Sequence, residues 1–186
     1  NKISNLAITD VADLINFAKE NQIRFTIVGP EMPLAHGIVD EFRAHGLQIW
    51  GPTKFCAKLE SSKVFAKDFM LKYNIPTASY AVFDNGADAH QYLNEQTLPI
   101  VIKADGLAAG KGVLVAQTMT EAKSFIDDIF NHNKFGSAGS LVVIEEFLQG
   151  IEASFIVMID ECGNILPMAS SQDHKRLLNN DHGPNT

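Results

Sequence analysis

The residues best suited to chemistry lie between Ile100 and Val115, in the stretch IVIKADGLAAGKGVLV. Two apolar, β-rich runs, Ile100 to Ile102 and Val113 to Ala116, bracket a turn of Gly and Ala with lysines at 103 and 111. Gly106, Gly110 and Gly112 permit positive φ and let backbone N–H groups approach a ligand closely. A concavity of such groups with ammonium groups beside it attracts anions, phosphate first among them. On this segment alone two readings stand side by side: a flap folded over phosphates, and a β-hairpin with a flexible turn and solvated lysines. A Walker loop is excluded, because Gly106 and Gly110 are one residue too close and Gly112 replaces the magnesium-binding hydroxyl. The following VLVA also reads as strand, and no G-x-G-x-x-G leads into a helix as a dinucleotide site requires.

A second candidate is Glu145-Glu146-Phe147-Leu148-Gln149-Gly150-Ile151-Glu152. A strand ending in an acid and followed by an apolar link with exposed backbone can receive an adenine. Glu145 and the linker N–H and C=O groups would match the exocyclic amine and a ring nitrogen, and Glu152 could bind ribose hydroxyls. Taken alone, the same stretch is more often a strand-to-strand turn. Lys63 and Lys67 stand one turn apart near the start of an expected helix. A lysine there opposes the helix dipole, so Lys63 has either a solvent-facing stem or an anion to meet. Gly29-Pro30-Glu31 closes an apolar run and reads as a plain turn or as a ligand-facing strand end. His174, set among charges, fits a hydrogen-bonding scaffold better than a proton shuttle, and the other histidines carry no metal spacing.

The elements that must position these groups alternate. Asp10 or Thr9 can cap a helix whose Val11, Leu14, Ile15, Phe17 and Ala18 share one face. Phe25 to Val28 reads as a short buried strand, Leu34 to His45 as a helix stopped by Gly46, and Ile49-Trp50 as a second strand. This βα alternation predicts a parallel sheet. A short helix around Phe55 to Leu59 precedes one capped by Ser61 or Ser62 and running to Tyr73. From Ile75-Pro76 the pattern changes to a strand at Tyr80 to Phe83 and a helix at Ala87 to Glu95. The glycine hairpin follows, then a helix from about Thr120 to Asn131, a loop at Phe135 to Ser140 and the apolar run Leu141 to Ile144. That is a small α+β unit with the hairpin as its inner flap.

Composition limits the options. A chain of 186 residues supports one or two domains. A net charge of −7 gives no electrostatic footprint for nucleic acid or a membrane surface, so local lysines must hold any anion. Cys56 and Cys162 are too few for a disulfide framework or a zinc site and read as reduced packing residues. No apolar run approaches a membrane span, and a cytoplasmic location is the default expectation.

Several longer motifs extend these patterns: Gly29-Pro30-Glu31, GPTK, LESSKVFAKDFM, IPTASY, IVIKADGLAAGKGVLVA, VVIEEFLQG, EASFIVM, SSQDHKR, and Asp181-x-Gly183-Pro184-Asn185-Thr186. In this order, and from about residue 24 onward, the chain resembles the phosphoribosylamine–glycine ligase (glycinamide ribonucleotide synthetase) family of the ATP-grasp superfamily. The resemblance implies an α/β and α+β protein: a partial parallel-sheet amino-terminal domain over residues 1–60, then an incomplete ATP-grasp domain over 61–186 with a lid subdomain at about 78–147.

It also implies an ATP-dependent ligase of de novo purine synthesis that joins glycine to 5-phosphoribosylamine through a glycyl phosphate. Lys63 and Lys103 resemble the lysines that reach the nucleotide phosphates, and Gly106, Gly110, Lys111 and Gly112 the loop that closes over them. Glu145, Glu146, Phe147 and Leu148 resemble the adenine linker, and Glu152 the ribose acid. Gly29, Pro30 and Glu31, with Asp173, Lys175 and Asn185, fall where substrate is bound, and Lys103, Lys175 and Arg176 where catalysis is expected. The implied small molecules are ATP, glycine and 5-phosphoribosylamine, with neither nucleic acid nor membrane as partner.

Mg²⁺ or Mn²⁺ is implied too, but its Glu and Asn ligands belong to a family segment beyond Thr186, so no metal ligand is assigned here. The family also starts with a strand and glycine-rich loop that this sequence does not show. The expectation is an internal fragment, inactive alone, of a parent that is either monomeric or one module of a multifunctional polypeptide. Alternatives are another ATP-grasp carboxylate–amine ligase, a noncatalytic nucleotide-binding module, and, lowest, a dehydrogenase-like βα domain.

Overall fold

The computed structural model describes residues 5–108, 111–172, 174, 176–179 and 182–185, and separates into two units, Asn1–Phe147 and Leu148–Thr186. The first unit opens with α1 (Val11–Glu20), capped by the Asp10 carboxylate, which accepts from the Ala12 and Asp13 N–H groups at 2.8 and 3.2 Å. Strands β1 (Thr26–Ile27) and β2 (Ile49–Trp50) pair in parallel, as the βα alternation predicts. The expected buried strand is shorter and half bare, with Phe25 and Ile27 53% and 66% exposed. Side chains alternate across a strand, and only the face carrying Val28 packs on the cluster of Ile15, Ile38, Val39 and Phe42.

The single helix expected over Leu34 to His45 is two helices, α2 (Glu31–His36) and α3 (Ile38–Ala44). Gly37 between them has φ +96°, and its N–H donates to the carbonyls of Pro33 and Leu34 at 3.1 and 3.0 Å. That is a left-handed helix stop which glycine adopts without a Cβ clash. After α4 (Lys58–Ser61), Ser62 turns extended and caps α5 (Lys63–Lys72) by accepting from the Phe65 N–H at 3.1 Å.

The second half of this unit is a four-stranded antiparallel sheet built from β3 (Tyr80–Phe83), β4 (Ile100–Ala104), β5 (Val113–Ala116) and β6 (Val142–Glu146), in the order β3-β6-β4-β5. Helices α6 (Gly86–Leu93) and α7 (Met119–Phe130) cover one face. Asn85 caps the first of them, and a reciprocal capping box of Thr118 and Glu121 starts the second. Alternation along β4 sends Ile100, Ile102 and Ala104 into the core with Val142, Ile144, Leu93, Ile126 and Ile129. The same alternation turns Val101 and Lys103 to the other face, and the register Val101↔Glu145 and Lys103↔Val143 puts Glu145 there too.

Asp105, just past β4, ties that face to α5. Its carboxylate accepts from the Val64 N–H at 2.8 Å and from Ser62 Oγ at 3.1 Å, and its carbonyl accepts the Lys63 N–H at 3.3 Å. An acid at a helix N-terminus is favoured by the dipole and by otherwise unpaired N–H groups.

The second unit consists of strand pairs: β7 (Ala153–Ser154) with β10 (Ser171–Gln172), β8 (Val157–Ile159) with β9 (Ile165–Pro167), and β11 (Arg176–Leu178) with β12 (His182–Asn185). The β8–β9 turn is held by Asp160, whose carboxylate accepts from the N–H groups of Cys162 and Asn164 at 2.9 Å each. Cys162 on that turn and Cys56 before α4 are both exposed, so neither is the packing residue expected.

Two stability measurements check this account. Ile126, fully buried under the sheet, should cost about 2–5 kcal/mol on Ile126→Ala in urea denaturation. Asp105→Ala should cost about 1–2 kcal/mol through the lost cap. Wild-type midpoints in both variants would contradict the packing and the docking respectively.

Candidate functional site

The polar face of the sheet, the amino-terminal end of α5 and the start of the glycine turn enclose a cleft of ≈ 680 Å³. Its lining brings together six residues given a role from the sequence, Glu31, Lys63, Lys103, Gly106, Gly112 and Glu145, and with them Lys67. Met32, Leu59, Met70, Leu107 and Val113 supply apolar walls. A cleft of this size with apolar walls and a few convergent polar groups is what a small-molecule site requires.

Lys63 reaches back over the β4 end, donating from Nζ to the carbonyls of Asp105 and Gly106 at 3.2 Å each. Burial pushes its ammonium below the ordinary value of 10.5, opposed chiefly by Asp105; Lys103 adds to the lowering, while Glu60 and Glu145 oppose it. The lysine in the first turn thus does not face the helix dipole alone, because Asp105 occupies the same end.

At the floor, Glu145 is 5% exposed. Its Oε2 accepts from Lys103 Nζ at 3.0 Å and is ion-paired with Lys67 Nζ, also at 3.0 Å, while Oε1 is buried without a hydrogen-bond partner among the described residues. A buried carboxylate needs such pairing, since desolvating one charge costs several kcal/mol. Lys67 is itself buried and donates further to Thr77 Oγ1 at 2.8 Å and to the Ala78 carbonyl at 3.2 Å.

Two glycines of the turn are required by close approach. A Cβ on Gly106 would sit 2.9 Å from Ala138 Cα, and one on Gly112 would sit 2.7 Å from Ala108 Cβ. At these two positions the backbone carries no side chain into the cleft, which suits close approach of a ligand.

The other residues named from the sequence fall elsewhere. Gly29 and Pro30 immediately precede α2 and do not line the cleft, although Glu31 does. Lys111 is exposed, its N–H donating to the Ala108 carbonyl at 2.9 Å. Glu146 turns to the far side of its strand, where Oε1 accepts from the Ser79 N–H at 2.8 Å. Phe147 ends the first unit, 39% exposed, while Leu148 and Glu152 belong to the second unit. Arg176 and Asn185 are register partners in the β11–β12 pair, and His174 is exposed. Gly110, Asp173 and Lys175 lie outside the described residues.

Sequence reasoning missed two participants. Lys67 carried a signal, a charge four residues from Lys63 on a partly apolar helix, but its carboxylate partner is 78 positions away and so invisible locally. Asp105 carried one as well, an acid directly after a strand that bears a lysine. Among the described residues no group of three or more His, Cys, Asp or Glu side chains gathers as an all-protein metal site would.

Comparison with known proteins agrees on one family. Residues 1–60 match the family model of the phosphoribosylglycinamide synthetase N domain, and residues 61–186 that of the phosphoribosylglycinamide synthetase ATP-grasp (A) domain. The phosphoribosylamine–glycine ligase of Neisseria meningitidis serogroup B is 63% identical over 185 residues, covering 100% of this chain and 44% of that protein. The chain thus spans less than half the length of this curated relative. A crystal structure of phosphoribosylamine–glycine ligase from Thermotoga maritima matches with a TM-score of 0.69 at 34% identity, covering 87% of this chain and 39% of that one. Biotin carboxylase from Campylobacter jejuni, solved with βγ-ATP, matches at TM-score 0.74 and 17% identity over 90% of this chain and 38% of that one, a likeness of fold alone. With residues 1–60 and 61–186 each matched by a domain model of that family, the chain belongs to the phosphoribosylglycinamide synthetase family.

Proposed function

We propose that this chain carries the ATP-phosphate site of a phosphoribosylamine–glycine ligase. The observation that carries the reading is the meeting of Lys63 and Lys103 with the glycines of the turn, Gly106 and Gly112, in one cleft. The unpartnered Glu145 Oε1 supports it, because a buried acceptor without a donor is suited to an exocyclic amine such as that of adenine. Lys63 has two acceptors on its ammonium, and Lys103 has only Glu145 among the described residues, so both keep hydrogens for phosphate oxygens.

The reaction this reading assigns has two steps. A carboxylate oxygen of glycine attacks the γ-phosphorus of ATP and ADP leaves. The amine of 5-phosphoribosylamine then attacks the glycyl carbon, phosphate leaves, one proton is released, and glycinamide ribonucleotide forms. Phosphoryl transfer calls for positioning and charge neutralisation more than a covalent catalyst, which suits lysines and backbone N–H groups. Membership of the ATP-grasp superfamily supports use of ATP and, in general, of a divalent metal, but no metal ligand is assigned among the described residues and no step here runs through it.

Within the same proposal, Gly110 and Lys111 belong to the closing loop, Glu146, Phe147 and Leu148 to the adenine linker, and Glu152 to the ribose contact. Glycine or phosphoribosylamine meets Gly29, Pro30, Glu31, Asp173, Lys175 and Asn185, with Lys175 and Arg176 near the reacting atoms. The ranges of the two family models support a boundary between residues 60 and 61. Among the described residues no helix is long and apolar enough to cross a membrane, and a cytoplasmic setting is part of the proposal.

The test is glycine-dependent ADP formation by the protein at its full natural length. Lys103→Ala should lower kcat/KM by roughly 100-fold or more, the scale of losing one group that stabilises transition-state charge, and Glu152→Ala should raise the KM for ATP with a smaller effect on kcat. Unchanged turnover in Lys103→Ala, or ADP release indifferent to glycine, would contradict the assignment.

A further inference from the structure

Lys67 has no place in the reading above, and its surroundings give it one. Its side chain is 7% exposed against 27% for Lys103, yet both ammonium groups lie 3.0 Å from the same oxygen of Glu145. The two lysines differ in what else they touch. Lys67 donates to Thr77 Oγ1 and the Ala78 carbonyl, is ion-paired with Glu145 Oε2, and lies over the Tyr80 ring at 5.4 Å. Lys103 has one acceptor, Glu145, among the described residues.

Lys103, more exposed and with one acceptor, is the lysine that a ligand phosphate can draw away, whereas Lys67 is anchored in the buried wall of the cleft by two hydrogen bonds and an ion pair. We propose that Lys67 is a positioning residue: it stays on Glu145 as a permanent counter-ion, so that Lys103 can leave that carboxylate for a phosphate. Without Lys67, Lys103 and Glu145 would form a closed neutral pair. Drawing Lys103 away would then leave a buried carboxylate with no partner, and that penalty would oppose nucleotide binding. With Lys67 present, the pair and its extra lysine carry one surplus positive charge before the ligand arrives. Lys67 contributes that charge without touching the ligand.

This inference rests on the nucleotide reading of the cleft, and the experiment separates the two. ATP affinity is measured by titration calorimetry, on the protein at its full natural length, for wild type, Lys67→Met, Glu145→Gln and the double variant, with circular dichroism as the folding control. Lys67→Met should bind ATP at least tenfold more weakly than wild type. In the Glu145→Gln background, where no carboxylate holds Lys103, the same change should alter affinity less than threefold. A double-mutant cycle of this kind isolates action through Glu145 from general damage. A tenfold loss that persists in the Glu145→Gln background would overturn the proposal, since Lys67 would then act on the ligand directly or by holding the fold. Wild-type affinity in Lys67→Met would overturn it as well. If Lys67→Met does not fold, the two Glu145→Gln proteins decide by the same threefold and tenfold criteria. Absence of ATP binding by the wild-type protein would instead refute the nucleotide reading itself.

Discussion

The arrangement depends on one buried carboxylate. Glu145 sits on the face of the sheet that the helices do not cover, where ionisation is tolerated only because Lys67 and Lys103 converge on Oε2. Each neighbouring feature follows from that constraint. α5 must pack so that its fifth residue reaches the sheet, β4 and β6 must be in the register that sets Lys103 diagonal to Glu145, and β3 must be close enough for Tyr80 to lie under the Lys67 ammonium. A shift of one residue in the β4–β6 register would carry Lys103 to the helix side, among Ile102, Ile126 and Ile144, where no carboxylate waits.

Asp105 makes the same face continuous with the glycine turn. Because its carboxylate caps α5 and its carbonyl receives both the N–H and the ammonium of Lys63, the start of the turn and the first turn of the helix are one hydrogen-bonded piece. The turn cannot move at Asp105 without disturbing Lys63. Gly106 is held likewise, its carbonyl engaged by Lys63 and its α-carbon close against Ala138, so the polar groups of the cleft are built on fixed elements.

Much of this was legible in the sequence. The β-rich runs on either side of the glycines, the Ser62 cap and the acid-terminated strand at Glu145 are local patterns, and local patterns are what periodicity and capping reveal. The phosphate-facing role drawn for Lys63 and Lys103 placed both in one cleft. What the sequence hid is non-local. The local pattern at Glu145 does not reveal that its carboxylate is also the counter-ion of two lysines, one of them 78 positions earlier. Gly37 was overlooked as a helix stop because Leu34 to His45 keeps an apolar face across it, and only the left-handed φ shows the break. Phe25 and Ile27 were expected inside because short apolar runs do not say how many faces of a strand are covered.

The central claim is that Lys103 is held in reserve on Glu145 and Lys67 is not. A crystal structure of the protein with a non-hydrolysable ATP analogue tests it most directly. The account predicts Lys103 Nζ at hydrogen-bonding distance from a phosphate oxygen, with Lys67 Nζ still on Glu145 Oε2. Phosphates bound away from residues 63 and 103, or Lys103 unmoved while Lys67 turns to the phosphate, would contradict it.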